Sequence, residues 1–480
     1  MGKGTTLAIE VRPKEREPIF LALARTIIEE IERGRLKPGD PLPGTRAFSK
    51  SLKLNRNTID AAYHELAMQG WLTTKPARGT YVAADLPDTV KRDKTKRAND
   101  VATKLIHSEE RLTLRLSDGS PDVRLVPTTA FAQAFRRALT SVAFASGSVY
   151  GDPRGIGTLR DALSAYLSDE RGLAAAASEI LITSGSQMAL FLAASAVTEP
   201  GSVIAVERPG YPLAWAAFRA TGAHVVGVSV DDGGIDVDAL EELARRDGRL
   251  RAVYVTPHHQ YPTTTTMGAG RRLRLLDIAR RFGLVVIEDD YDNEYRFDGR
   301  PILPLAARAD ENLQIIYIGS LSKLLAPGIR LGYAVAPAQI LLKMAVRREA
   351  LVRQGDLPLE HALAELITDG TIRRHARKAR RIYHARRDHM AELLRERLPD
   401  DTHFNLPAGG LAIWLKLKEG LSAETWAHNA ARLGLSVIPG IQFDLETANP
   451  VEAFRLGFAS LNDNELARAV NLLVHSKPDR

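Results

Sequence analysis

From residue 179 to residue 337 the chain repeats one local theme: short apolar runs, EILITS, SVIAVE, HVVGVSV, AVYVTP, GLVVIEDD, IIYIGS and LGYAVAP, with helical stretches between most of them. A strand that is apolar and β-branched along its length, with no polar alternate, has no face to offer water. Such strands pack into a mainly parallel sheet with helices over both faces, so a large α/β domain is expected. Beyond it, GGLAIWLKL, LSVIPG and FRLGFAS read as strands of a smaller C-terminal lobe. Helices are expected there around Ala423 to Leu433 and Asp463 to Leu473. A length of 480 residues allows roughly two to four domains, so more than this one is expected.

Residues 1–85 form a second unit of different character. Phe20, Leu23, Ala24, Ile27 and Ile31 recur at helical spacing until Gly34, with Pro38-Gly39 beyond. Thr45 is placed to cap a short helix ending near Leu52, and Asn55 a third helix running to Gly70 with Ile59, Ala62, Leu66 and Ala67 inward. Trp71 to Thr74 and Thr80 to Val82 read as strands joined by the turn KPARG. Three helices and a hairpin make a winged helix. Residues 86–112 lose the pattern and carry KRDKTKR, where Lys91, Arg92, Lys94, Lys96 and Arg97 face the single acid Asp93. A charged linker is expected there, either a solvated spacer or a contributor of phosphate contacts. The α/β unit then occupies residues 113–480.

The chain has no Cys, which removes disulfides, thiolate metal sites and a cysteine nucleophile together; no metal site is expected. The opening MGKGTTLAIEVRPKEREP lacks an apolar core behind a basic head, and no run approaches ~20 apolar residues. A soluble, cytoplasmic protein without a membrane partner is expected. The formal charge of +7 and pI near 9.4 suit a polyanionic partner without identifying one.

The chemistry concentrates around Lys323, in GSLSKLLAPGIRLGY. Ser320 and Ser322 flank the turn after a strand, and Arg330 follows. Two hydroxyls and a guanidinium can hold a phosphate ester while the lysine amine condenses with an aldehyde. LITSGSQMAL is strand, tight turn and helix, so Gly185, Ser186 and Gln187 present N–H groups at a helix N-terminus, a ready anion site. Asp289 closes the strand GLVVIEDD, where ligands sit in open parallel sheets; Asp290 is the alternative acid of the pair. Tyr211 follows a Pro-Gly turn and can face the same cleft.

This set resembles the fold-type I aminotransferases, which bind pyridoxal 5'-phosphate (PLP). The resemblance implies a Schiff base at Lys323, a bond from Asp289 to the pyridine nitrogen and one from Tyr291 to the ring's 3-oxygen. It further implies stacking by Tyr211, phosphate contacts by Ser186, Gln187, Ser320, Ser322 and Arg330, and Arg455, in AFRLGFAS, as the fork for a substrate carboxylate. YGDPRGIGTLRDALSAYL, with Tyr150 and Gly151, is similar to a segment whose tyrosine approaches the other subunit's cofactor. HHQYPTTT departs from the family pattern: Tyr261 takes the place of an asparagine and Thr264 that of a glycine. Since that asparagine assists the 3-oxygen, efficient transamination is not expected.

PGDPLPGTRAFSKSLKLNRNTIDAAYHELAMQGWLTTKPARGTYV resembles the GntR family of winged helix-turn-helix regulators. The resemblance places Arg56, Asn57 and Thr58 at the first turn of the recognition helix, in the major groove. Arg46, Lys75 and Arg78 would meet phosphate or the minor groove. The fusion resembles the MocR/GabR subgroup, which implies a PLP-dependent regulator acting on double-stranded operator DNA as a head-to-tail homodimer. An amino compound would be sensed by forming an external aldimine in place of Lys323. A working aminotransferase with an incidental DNA-binding domain, and a DNA-binding protein whose C-terminal domain only dimerises, are the competing readings.

Overall fold

In the computed structural model the described residues are 9, 11, 13, 17–75, 79–84, 114–116, 119–141, 150–299, 302–445 and 451–478. The expected linker, with Lys91 to Arg97, and the wing residue Arg78 lie outside them. The chain divides into two compact units, Met1–Glu109 and Glu110–Arg480.

The first unit contains α1 (Ile19–Glu32), α2 (Thr45–Leu52), α3 (Arg56–Met68) and the antiparallel pair β1 (Leu72–Lys75) and β2 (Gly79–Val82). Leu23, Ile27 and Ile31 of α1 meet Phe48, Ile59, Ala62 and Leu66, with Leu72 and Val82 closing the core from the hairpin. The Asn55 side chain accepts from the Asn57 N–H at 2.9 Å, capping α3 as its sequence position suggests. Thr45 is no cap. The cap position is Gly44, whose carbonyl accepts from the Phe48 N–H at 2.9 Å, and starting the helix there delivers Phe48 to the core. On α3, Tyr63 is more deeply buried than Ala67, its hydroxyl donating to the Pro43 carbonyl at 2.9 Å.

The second unit begins with β3 (Leu114–Arg115), α4 (Thr128–Thr140) and α5 (Gly157–Arg171). Its large sheet is built from β4 (Ile180–Thr183), β5 (Val203–Arg208), β6 (His224–Asp231), β7 (Gly234–Ile235), β8 (Leu250–Val255), β9 (Val285–Asp290), β10 (Ile315–Ser320) and β11 (Gly332–Val335). The spatial order is β4-β11-β10-β9-β8-β5-β6-β7. Strands β10, β9, β8, β5 and β6 run parallel, as the continuous apolar runs require. LGYAVAP is the exception: β11 pairs antiparallel with both β10 and β4. The chain between Ser320 and Gly332 holds no helix, and without a crossover the strand can only return antiparallel.

Side chains alternate across this sheet. Ile204, Val206, Tyr254, Ile287 and Ile318 pack beneath α6 (Ser186–Val197) and α7 (Pro212–Ala220). Val203, Ala205, Val253, Val255 and Val286 pack on the other face against α8 (Val237–Arg246) and α9 (Ala269–Phe282). Each such fully buried aliphatic side chain contributes roughly 1.5–3 kcal/mol. The same alternation sends Asp289 and Asp290 to opposite faces.

After α10 (Ala338–Val352) and α11 (Leu357–Thr368), the long α12 (Thr371–Arg397) leads to the smaller lobe. There β12 (Thr402–His403), β13 (Ala412–Leu417), β15 (Ile438–Pro439) and β16 (Ala453–Gly457) form an antiparallel sheet in the order β12-β13-β16-β15. LSVIPG breaks at Val437, and its first part, β14 (Leu435–Ser436), pairs in parallel with β3. Helices α13 (Ala423–Arg432) and α14 (Asp463–His475) complete the lobe. Among the described residues no helix is long and apolar enough to cross a membrane.

Candidate functional site

Beyond the C-terminal ends of β9 and β10 lies a cavity of about 280 Å3, lined among others by Ser120, Ser186, Tyr211, Tyr254, Tyr261, Asp289, Tyr291, Ser320, Ser322, Lys323 and Arg330. Apart from Ser120, these residues converge because each lies at the C-terminal end of a strand of the large sheet or in the chain that follows it. Lys323 enters from the turn after β10, and its Nζ points to the Gly119 carbonyl at 3.5 Å. The Tyr295 hydroxyl reaches the Lys323 and Leu324 carbonyls, each at 3.2 Å, and so pins the turn.

One end of the cavity suits an anion. Gly185, at φ +83°, caps α6, and a Cβ there would meet Arg330 Nη2 at 3.0 Å. Glycine alone lets the guanidinium and the open N–H groups of the first helical turn face the same point. Arg330 Nη2 also donates to the Ser184 carbonyl at 3.4 Å. The Ser320 hydroxyl accepts from the Ser322 N–H at 3.3 Å, while the Ser322 hydroxyl donates to the Ile329 carbonyl at 2.8 Å. The Gln187 side chain lies elsewhere, donating to the Leu213 carbonyl at 2.7 Å; only its backbone N–H belongs to the helix start.

At the other end Asp289 is buried, with Oδ2 accepting from the Tyr254 hydroxyl at 2.9 Å and Oδ1 without a partner. Burial pushes its carboxyl up to about 7; the Tyr254 bond opposes the shift, and the charges of Asp290 and Asp292 add to it. Asp290 occupies the other face. It accepts from Tyr317 at 2.6 Å and Asn293 at 2.9 Å, with Arg171 Nη1 at 3.4 Å. Against its burial, His258, Arg171 and the Tyr317 hydroxyl hold Asp290 below the usual carboxylate range. Of the two acids, geometry leaves Asp289 to the cavity. Tyr254, which the sequence reading did not single out, is signalled only by being a hydroxyl-bearing residue near the end of a buried strand.

Aromatic rings form the remaining wall. Tyr211 meets Tyr261 edge-on at 5.0 Å, and Tyr291 stands 6.0 Å from Tyr261. The Tyr291 hydroxyl donates to the His259 carbonyl at 3.0 Å. Arg455 is not on the cavity wall. It is 1% exposed, its guanidinium lies 4.3 Å from the Tyr261 ring centre, and its Nη1 donates to the Pro262 carbonyl at 3.1 Å. Thr264, where the family pattern has glycine, sits at φ +63°. Tyr150 is exposed on the surface with the Arg353 guanidinium 4.5 Å from its ring, and the Gly151 N–H bonds Gln354 at 2.7 Å.

In the first unit Arg46, Arg56 and Asn57 are exposed on α2 and α3, and Thr58 is half-buried. Arg56 Nε lies 3.6 Å from Asp60, a contact one turn along the helix that leaves the guanidinium at the surface. Lys75 closes β1; its side chain, like Arg78, lies outside the described residues.

Residues 113–473 match the family described as aminotransferase class I and II, and residues 21–82 that of bacterial regulatory proteins, gntR family. The chain is 29% identical to a probable rhizopine catabolism regulatory protein, MocR, of Rhizobium meliloti, covering 95% of this chain and 93% of that one. It is 32% identical to the pyridoxine biosynthesis transcriptional regulator PdxR of Corynebacterium glutamicum, over 81% of each. The crystal structure of the α-aminoadipate aminotransferase LysN from Thermus thermophilus, complexed with N-(5'-phosphopyridoxyl)-L-leucine, superposes with a TM-score of 0.70 at 29% identity. That match covers 79% of this chain and 94% of LysN.

Proposed function

Because the chain belongs to the aminotransferase class I and II family over its larger unit and, taken whole, to the MocR-type subgroup of gntR-family regulators, we propose that it is a PLP-dependent transcriptional regulator. It acts in the cytoplasm as a head-to-tail homodimer on double-stranded operator DNA, and its effector is a small amino compound. The observation that carries this reading is one cavity holding Lys323, the Gly185–Arg330 cradle and the unpartnered Oδ1 of Asp289, in a chain that also has a gntR-type unit.

The residues present fit PLP. A protonated pyridine nitrogen is the donor that Asp289 Oδ1 lacks, and a phosphate matches Arg330, the N–H groups of Ser186 and Gln187, and the hydroxyls of Ser320 and Ser322. When bound, PLP supplies an aldehyde that condenses with primary amines. Lys323 would hold that aldehyde through its amine, the position for which an effector amine would compete. Asp289 would keep the proton on the ring nitrogen, and Tyr211 would stack against the ring. Tyr291, whose proton is committed to the His259 carbonyl, offers the 3-oxygen a hydroxyl only by turning from that bond.

Tyr261 favours reporting over turnover. Its ring covers Arg455, so an effector carboxylate reaches the guanidinium fork only when the ring swings aside. That movement is a structural consequence of effector binding, and a regulator requires one, since an effector shifts a conformational equilibrium only through different affinity for the two states. In the first unit, Arg56 and Asn57 read base edges, Arg46, Thr58, Lys75 and Arg78 engage the backbone, and the two protomers address two half-sites.

The test is to titrate amino compounds into purified PLP-loaded protein while following the visible absorbance of the bound cofactor and operator affinity together. One compound should move both. Rapid multiple turnover of an amino acid with a 2-oxo acid, without operator binding, would establish the enzyme instead. Unchanged DNA binding in Lys323→Ala, with no visible band in the parent protein, would reduce the larger unit to a dimerisation domain.

A further inference from the structure

The other face of the same strand ends holds a second cavity, of about 420 Å3, between the end of α5, the turn after β9 and one side of α12. It shares no lining residue with the Lys323 cavity. Its charges are unbalanced. The acids in its lining are Asp169, Glu170 and Glu294, and all three are taken: Glu294 bonds Arg171, while Asp169 and Glu170 hold Arg373 at 2.9 and 2.5 Å. Three more arginines line the space without a counter-ion within salt-bridge distance among the described residues: Arg296, Arg377 and Arg380. Arg377 and Arg380 are exposed and lie on the same side of α12 as Arg373.

Arg296 is the informative one. Its Nε and Nη1 are both buried and neither has a hydrogen-bond partner. Arg272, bonded to the carbonyls of Met267, Leu303 and Pro257, adds a further positive charge nearby. Burial pulls Arg296 below the usual arginine range, with Asp298 opposing. Arg296 as a whole is half-buried, yet two of its three nitrogens are buried and unmatched, which is costly, and the group that offsets that cost is an anion with several acceptor oxygens. The cavity is also of a size that takes small ligands.

We propose that this cavity is a second ligand site, for a small dianion carrying either a phosphate or two carboxylates, held by Arg296 from within and by Arg377 and Arg380 at the mouth. The site stands whether or not the Lys323 cavity reports amines, since the two are built from different residues.

Isothermal titration of the full-length, PLP-loaded protein with inorganic phosphate and, in a parallel series, with malonate tests it; loading with PLP keeps the phosphate cradle of the first cavity out of the measurement. One saturable site per chain is expected for at least one anion, and the preferred anion distinguishes a phosphate from a dicarboxylate ligand. Affinity should fall roughly tenfold or more in the Arg377→Gln, Arg380→Gln double variant and in Arg296→Met. Unchanged affinity in the double variant, whose positions are exposed and tolerate substitution, would overturn the proposal even if Arg296→Met fails to fold. So would the absence of saturable binding by both anions.

Discussion

Replacing Asp289 with asparagine should make the cofactor-free protein more stable and a poorer binder of PLP. Burial raises the Asp289 carboxyl from 3.8 to about 7, so the native state holds its proton more tightly than the unfolded chain does. Below about pH 4 the group is neutral in both states and costs nothing. Between about pH 4 and pH 7 the unfolded chain ionises more readily, and native stability falls; above pH 7 the cost is constant. At 1.36 kcal/mol per unit, a shift from 3.8 to about 7 corresponds to a cost on the order of 4 kcal/mol at pH 8. Asparagine keeps an acceptor for Tyr254 and carries no charge, so it escapes this penalty. In the loaded protein the sign reverses, because the carboxylate then faces a protonated nitrogen through a bond worth ~1.5–3 kcal/mol. The variant should therefore bind PLP roughly 10- to 100-fold more weakly. Denaturant unfolding of the cofactor-free larger unit at pH 4.5 and pH 8, with fluorescence titration by PLP, reads both halves. If parent and variant unfold alike at pH 8 and bind PLP alike, Asp289 neither bears a buried charge nor meets the ring nitrogen.

Three further substitutions probe other parts of the structure. Gly185→Ala places a methyl at φ +83° and 3.0 Å from Arg330, so PLP affinity should drop about tenfold through strain of ~1 kcal/mol or more and a displaced guanidinium; normal affinity would disconnect this turn from the phosphate. Tyr261→Asn removes the ring covering Arg455 and with it a cation–π contact of ~0.5–2 kcal/mol; carboxylate-bearing amines should bind more tightly and single-turnover conversion should speed up, both readable from the cofactor spectrum. Arg56→Ala should cost ~1–3 kcal/mol of operator affinity and relax preference at one base pair if the side chain reads a base edge, whereas a uniform loss across sequences, with a shallower salt dependence, would reassign it to phosphate.

Much of this architecture is written locally. Continuous apolar runs announce the strands from Ile180 to Ser320, and Lys323, Ser320, Ser322 and Arg330 lie close enough in sequence to be read as one group. What could not be read depends on three-dimensional partners. The direction of β11 follows from the missing crossover after Lys323, while its placement between β10 and β4 is a long-range choice. Helix α12 is obscured by its arginines: until Leu393 and Leu394 near its end, its buried stripe of Ile372, Ala376, Ala379, Tyr383 and Met390 holds few large aliphatics to stand out against them. Asp289 and Asp290 are indistinguishable as letters and are separated only by which face of the sheet each one meets. The covering of Arg455 by Tyr261 joins residues far apart in the chain, and the proton of Tyr291 goes to a backbone carbonyl that no motif records.

The parallel pairing of Leu114–Arg115 with Leu435–Ser436 ties the start of the larger unit to its last lobe. During synthesis, all the described strands and helices of the winged unit are in hand once Val82 has emerged. Its neighbour must instead keep its first strand unsatisfied until more than three hundred further residues have been made. Contacts of such separation form late and slowly, and the intermediates that wait for them expose apolar surface. A ribosome stalled before Leu435 should therefore carry one finished domain and one that resists proteases poorly, and the two halves of this protein would enter the cell at different times.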